Sequence, residues 1–279
     1  MRPSLKLPAE LRQLIGSRSP ELLAGVERFL ADAPRRCTYI RSERVARAPL
    51  RRSWLGRLLA GDAAKPVLSP LDSKFGGVPY VEEADLTWGR YSFLGQIHFA
   101  QVEDPPPGMP RRGLFALDFG TSEKGMPLFR VRWYPEPSEE RSRAGAVPPG
   151  VGPWETRMVF SPGWSLPGGE AWHAPLPAGD EELWSEWNDW TPKGFLEDER
   201  EECHRLFGHR SAGLDEEPYG FEPPPGRGSA LDEYAQLLRL TFDNPTGFGW
   251  GSNWVYVLIH EADLAENRLD RAVVTLANY

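Results

Sequence analysis

Phe75-Gly-Gly-Val-Pro-Tyr-Val81, followed by Tyr91-Ser-Phe-Leu-Gly-Gln-Ile-His-Phe-Ala-Gln-Val102, decides the fold. A glycine-proline turn feeds an apolar run long enough for a strand over Tyr91–Val102. Side chains alternate along a strand, so Gln96 and His98 share one face while Ile97 and Phe99 take the other. Outward from this block, similar short runs predict strands at Gly113–Phe119, Phe129–Tyr134, Thr156–Phe160, Leu237–Phe242, Trp254–His260 and Ala272–Leu276. Leu114-Phe-Ala-Leu-Asp-Phe119 and Asn253-Trp-Val-Tyr-Val-Leu-Ile259 read as nearly buried on both faces. Asp104-Pro-Pro-Pro-Gly-Met-Pro-Arg-Arg-Gly113 is a rigid loop, because consecutive prolines cannot join a ladder. Glu222-Pro-Pro-Pro-Gly-Arg-Gly-Ser229 and the excursion between Pro135 and Pro153 read as surface loops. The expected class is α+β, with antiparallel sheets, peripheral helices and long Pro/Gly-rich loops. An internal pseudo-repeat is expected from the echo between Phe93–Phe119 and Leu237–His260, each a strand, a Gly/Pro-rich loop and a more apolar strand.

Upstream, Pro8 to Leu30 reads as helix in two pieces. Ser19-Pro20-Glu21 places a capping serine before a proline at the first helical position. An arginine-heavy stretch follows from Arg35 to Arg57, whose apolar members let it lie against a body. Residues 1–65 are therefore expected to be a basic helical extension packed on an α+β domain of residues 66–279. The charge is divided in the same way: residues 1–65 carry 14 Lys+Arg against 6 Asp+Glu, whereas the remainder carries 18 against 34. Attraction between the leader and the acidic body of its own chain accounts for this division without a nucleic-acid partner. Further helices are expected at Glu181–Asn188 and Leu196–Leu206, the second ending near Gly208.

With 279 residues and 40% apolar content, the chain can bury a sizeable core. Cys37 and Cys203 form neither a disulfide framework nor a metal-binding pair of the Cys-x-x-Cys type. Pro8 and Glu10 interrupt any signal-like apolar start, and no run is long enough for a membrane span. A cytoplasmic protein without membrane attachment is the expectation. Eleven tryptophans, seven of them between Trp133 and Trp190, suit either broad internal packing or a binding surface.

Candidate chemistry is sparse. Gln96 and His98 either line a groove or hydrogen-bond the long loops. Cys203-His204-Arg-Leu-Phe-Gly-His209 contains zinc-ligand types, but in adjacent or badly spaced positions, and reads better as a helix end whose His204 and Arg205 complement the dipole. Glu186 and Asp189 beside Trp184, Trp187 and Trp190 offer paired acids with aromatic platforms, the arrangement used in glycoside hydrolysis. No nucleophile elbow, zinc-protease helix, phosphate loop or dinucleotide loop is present.

Taken in order, Lys74-Phe-Gly-Gly-Val-Pro79, Phe93-Leu-Gly-Gln-Ile-His98, Arg112-Gly-Leu-Phe115, His204-Arg-Leu-Phe-Gly208, Leu237-Leu-Arg-Leu-Thr-Phe-Asp243, Trp250-Gly-Ser-Asn-Trp-Val-Tyr256 and Asp263-Leu264 resemble the YwqG-like domain-of-unknown-function family. Arg205 and Arg239 stand where that family often has glutamine, and its usual Trp-Pro after the first turn is absent. The resemblance implies a single α+β fold of antiparallel sheets with no established activity or cofactor, some members lying near bacterial toxin and immunity genes. The chain is therefore expected to be a non-enzymatic protein-recognition module, with a cognate toxin as one form of partner. Its candidate contacts are Gln96, His98, His204, Arg205, Arg239, Trp250, Trp184 and Trp187. The alternative is a carbohydrate-binding or glycoside-hydrolysing enzyme. No cofactor, catalytic residue or metal site is assigned.

Overall fold

Two short strands flanked by glycine, rather than the longest apolar runs, fix how the sheet is assembled. The computed structural model describes residues 3–47, 68–83, 86, 88–143, 154–168, 170–190, 204–210, 214, 218–241, 245–246 and 253–278. Ten strands are found among them: β1 Arg35–Arg47, β2 Lys74–Phe75, β3 Tyr91–His98, β4 Leu114–Thr121, β5 Pro127–Tyr134, β6 Trp154–Ser165, β7 His204–Phe207, β8 Tyr234–Leu240, β9 Asn253–His260 and β10 Val273–Asn278. They form one sheet in the order β10-β9-β8-β7-β1-β6-β2-β3-β4-β5, with every neighbouring pair antiparallel. The long β1–β6 pair therefore stands in the middle. Short β2 joins one meander to β6, and short β7 joins the other to β1.

The arginine-heavy stretch expected to lie on the body instead supplies strand β1. Its middle, Cys37–Ile40, is buried and hydrogen-bonded to neighbours on both sides, whereas Arg41, Glu43 and Arg44 are exposed. Arginines at both ends mark where the strand emerges into water, which is why composition alone read it as a basic face. A second correction concerns His204–Phe207, expected to end a helix. It is strand β7, paired with β1 and β8, and left-handed backbone at Phe207 and Gly208 ends it. The preceding 196–203 lie outside the described residues. β3 also stops at His98, because Phe99–Gln101 turns into a single 3-10 turn.

Inward-facing residues alternate along the strands and meet in one core. Phe115 and Leu117 of β4, Val131 and Trp133 of β5, Leu238 and Leu240 of β8, and Val255, Val257 and Ile259 of β9 all belong to the same cluster. Residues from opposite ends of the strand order can touch only if the sheet curls, and it does so into a near-barrel. The edge strands β5 and β10 approach each other, and the 3-10 turn Leu269–Arg271 before β10 sits beside β5.

Helices form a separate apolar satellite. α1 (Ala9–Arg18) and α2 (Pro20–Asp32) are divided at Ser19, whose hydroxyl accepts the N–H groups of Glu21 and Leu22, as the sequence predicts. They pack with α3 (Glu170–His173) and α4 (Glu181–Asp189) around Ile15, Val26, Leu183 and Trp187. Arg18 of α1 reaches Asp180 at 2.9 Å and Glu182 at 2.5 Å. α5 (Glu261–Ala265) follows β9 directly.

On the outward face of β4 and β5, Asp118 is buried beneath Arg130 and Arg132. Arg132 makes two bonds of 2.9 Å to its carboxylate, and Arg130 one of 2.8 Å. Arg132 also donates to the Tyr80 carbonyl and the Tyr134 hydroxyl, tying the 69–83 loop to the sheet. Removing one partner of a buried pair strands the other charge. Asp118→Ala is therefore expected to cost about 3–5 kcal/mol, read as a lowered midpoint in urea unfolding.

Candidate functional site

Gln96 and His98 face outward from β3 as the alternation predicts, but the 69–80 segment lies across them. The Gln96 amide accepts from Tyr80 N–H at 2.8 Å and donates to the carbonyls of Pro70 at 2.5 Å and Asp72 at 2.9 Å. His98 Nδ1 lies 3.1 Å from the Leu71 carbonyl, and the Ser73 hydroxyl accepts the His98 N–H. Both side chains therefore hold this loop down. Beneath it, Lys74 is fully buried, donates to the Ser69 carbonyl at 2.7 Å and lies 3.8 Å from Glu155. Burial pushes its ammonium down to about 8, against the opposing pull of Glu155 and Asp72.

The second meander carries the other candidates. His204 Nδ1 accepts the Thr241 N–H at 3.1 Å, which leaves the ring proton on Nε2, and the ring stands edge-on to Phe75 at 4.9 Å. Arg205 and Arg239 face each other across β7 and β8 in the row Tyr39, Arg205, Arg239, Tyr256. Both are buried. Arg205 donates to the His209 carbonyl at 2.8 Å, and the Arg239 guanidinium lies 4.5 Å from the centre of the Trp254 ring. Cys37, nearby on β1, has its thiol pushed up to about 11 by burial, which keeps it protonated and unreactive.

Trp187 is fully buried between Trp172 and Trp190, at 4.9 and 5.1 Å, and has no face left for a ligand. Trp184 is partly exposed, stacked on His173 at 4.7 Å and bonded through its indole N–H to the Pro177 carbonyl. Trp250 lies outside the described residues. The structure thus spreads the described sequence candidates over four places: Gln96 and His98 under the 69–80 loop, Arg205 and Arg239 on the outer face of β7 and β8, His204 on the inner face against Phe75, and Trp184 and Trp187 in the helical satellite. Among the described residues, no group of three or more His, Cys, Asp or Glu side chains is placed to hold a metal ion, and no helix is long and apolar enough to cross a membrane.

A site that sequence reasoning missed lies where the barrel fails to close. A slit of about 630 Å³ runs between β5 and β10, lined by Met126–Phe129 and Val131 on one side and Ala272–Leu276 on the other, with Tyr219 and Pro223–Pro225 along it. Met126 and Tyr219 are 39% and 53% exposed, two of the three large apolar side chains so placed among the described residues. The proline-rich rim is held firmly. Arg227 makes bonds of 3.0 and 2.5 Å to buried Asp263, and Arg271 joins the same carboxylate at 3.2 Å while donating to the Pro225 carbonyl. The Arg227 bond, ahead of the charge of Arg271, keeps the Asp263 carboxyl below its ordinary range. The signal in the sequence was the position of Pro127–Tyr134 and Val273–Asn278 as the outermost members of two meanders, legible only once strand order is known.

Two outcomes follow. Gln96→Leu leaves the Tyr80 N–H and two carbonyls without their partner, so a loss of about 3 kcal/mol is expected, with faster hydrogen exchange confined first to the 69–80 loop. His209 gives a pH signature. Burial drives its imidazole down to about 4, despite the hydrogen bond to the Ala33 carbonyl at 2.5 Å. The unfolded chain then binds the extra proton first. Stability contributed by His209 is complete above its unfolded value and is lost as pH falls through about 4. Urea midpoints should drop across that interval by the equivalent of about 2 kcal/mol, after allowance for partial exposure, and His209→Gln should flatten the profile.

Residues 73–277 match the family described as Domain of unknown function (DUF1963). No curated protein matches the chain. The matched span begins just before β2 and leaves α1, α2 and the central strand β1 outside it, while including both meanders, β6 and the slit. It also contains the ordered motifs from Lys74 to Leu264 on which the YwqG-like resemblance rests. The chain belongs to the DUF1963, YwqG-like family.

Proposed function

We propose that this protein is a non-enzymatic protein-recognition module and that the slit between β5 and β10 is its contact surface. The observation that carries it is the placement of exposed Met126 and Tyr219 at the mouth of an opening of mixed polar and apolar lining, while Gln96 and His98 are occupied with the 69–80 loop. Apolar side chains gathered at one opening are a mark of association surfaces. A cognate toxin is the version of the partner that the family resemblance suggests. The glycosidase alternative keeps Trp184 and Trp190 as candidate platforms, while Trp187 is buried.

An internal pseudo-repeat belongs to the same proposal. Lys74 faces Gln96 across β2 and β3 as Arg205 faces Arg239 across β7 and β8, and both β3 and β8 carry a register shift. In each half these residues are buried beneath other parts of the chain, which supports a framework role for them and leaves the junction between the halves to do the binding.

The test is affinity purification from the native cell with quantitative mass spectrometry, using the wild type, a Met126→Glu/Tyr219→Glu variant and Trp184→Ala as baits. A stoichiometric protein partner is expected with the wild type and with Trp184→Ala, reduced at least tenfold by the slit variant. Loss with Trp184→Ala alone would move the surface to the helical satellite. Catalytic turnover of a captured substrate by the folded protein would overturn the proposal.

A further inference from the structure

We infer that the slit receives an extended polypeptide segment as an added strand on the free edge of β5, an inference that rests on the protein-recognition proposal above. The phase of backbone pairing supplies the reason. At the β4–β5 turn, Ser122 N–H bonds the Met126 carbonyl at 2.8 Å and Gly125 N–H bonds the Ser122 carbonyl at 3.0 Å. With that phase, Leu128, Arg130 and Arg132 exchange bonds with Gly120, Asp118 and Ala116 of β4. Val131 and Trp133 must then aim their N–H and C=O groups away from β4, and Val131, which lines the slit, finds no backbone partner there among the described residues.

The opposite edge has the same character. Leu276 of β10 exchanges bonds with Tyr219, N–H to carbonyl, at 2.8 and 3.2 Å, and the Thr275 hydroxyl donates to the Tyr219 carbonyl. The chain thus already begins to add a strand here. Among the described residues it stops after one bridge, and the nearby Pro223-Pro224-Pro225 has no N–H groups with which to extend the pairing. Val274, two residues from Leu276 and in the same phase, presents its backbone to the slit without a partner among the described residues.

These edges also define the chemistry of the occupant. Exposed strand edges recognise backbone, which every peptide has, and pockets beside them select alternate side chains. The residues whose backbones point into the slit also turn their side chains toward the core: Val131 on β5 and Val274 and Leu276 on β10 pack against it. A strand lying between them places every second side chain over the apolar side chains of Val131, Val274 and Leu276. The occupant is therefore an extended segment with apolar residues at alternate positions and no proline at the positions that donate to β5.

The probe is a random linear peptide library displayed on phage, followed by the selected peptide made synthetically and measured by fluorescence anisotropy. Binding should fall about tenfold for each N-methyl group placed at alternate residues, and remain nearly unchanged for methyl groups at the residues between. Amide exchange at Val131 and Val274 should slow in the complex. Val131→Pro removes one edge donor from a position whose N–H faces outward, where proline is compatible with an edge strand, and should weaken binding about tenfold with an unchanged circular dichroism spectrum. Should Val131→Pro fail to fold, the N-methyl series on the wild type decides. Failure to select any peptide overturns strand addition. A peptide that binds with no N-methyl periodicity and no added protection at Val131 also overturns it; if the Met126→Glu/Tyr219→Glu variant still abolishes that binding, recognition at the slit survives. Capture of the partner unaffected by that variant removes both.

Discussion

Everything in this molecule hangs on the pairing of β1 with β6. Residues 35–47 run antiparallel to residues 154–165, and among the described residues the strand pairing of the two meanders is joined through this seam, by the two residues of β2 on one side and the four of β7 on the other. Long-range pairing of this kind must first close a large loop, and it returns that entropy only when both strands are in register. The register is well specified. Gly163 sits opposite Cys37 and leaves room for the Tyr39 ring, whose hydroxyl then donates to the Trp164 carbonyl at 2.8 Å. A β-carbon at Gly163 would fall 2.3 Å from that ring, so the seam depends on a missing side chain as much as on the ones present.

Curling the sheet solves one problem and creates another. The inner face becomes a shared apolar core, but the outer face must be covered wherever it carries polar groups that are withdrawn from water. Gln96, Lys74, Asp118 and Arg132 on the first meander each hold a loop or a neighbouring strand by hydrogen bonds or an ion pair. Buried polar groups are tolerable when satisfied and costly when not. Gln96, Lys74, Asp118 and Arg132 thus serve the architecture.

The incomplete closure is where architecture leaves something over. An open sheet needs its edges protected, and this one turns its two edges toward each other, guarded by Tyr219 and a proline-rich segment anchored on Asp263. The anchoring ion pairs stand at the rim of the slit. An opening with a rigid rim and unmet backbone groups is ready for a ligand at lower ordering cost than a loop that must first be fixed.

Local pattern sufficed for much of this. Short apolar runs divided by Gly and Pro marked β3, β4, β5, β8, β9 and β10 to within a few residues, and the Ser19-Pro20 signal marked the break between α1 and α2. Local pattern failed at β1, where arginines at the emerging ends outweighed the short buried middle, and at His204–Phe207, where charge favoured a helix end over a strand. Such short runs carry no period of their own; pairing on both sides makes them strands. Tertiary structure alone decided that Trp187 is core, that Gln96 faces a loop and that Pro127–Tyr134 and Val273–Asn278 become facing edges. Sequence records which residues prefer water and how the preference alternates. Which strands end up without a neighbour depends on the order in which distant segments pair, and no local preference encodes that order.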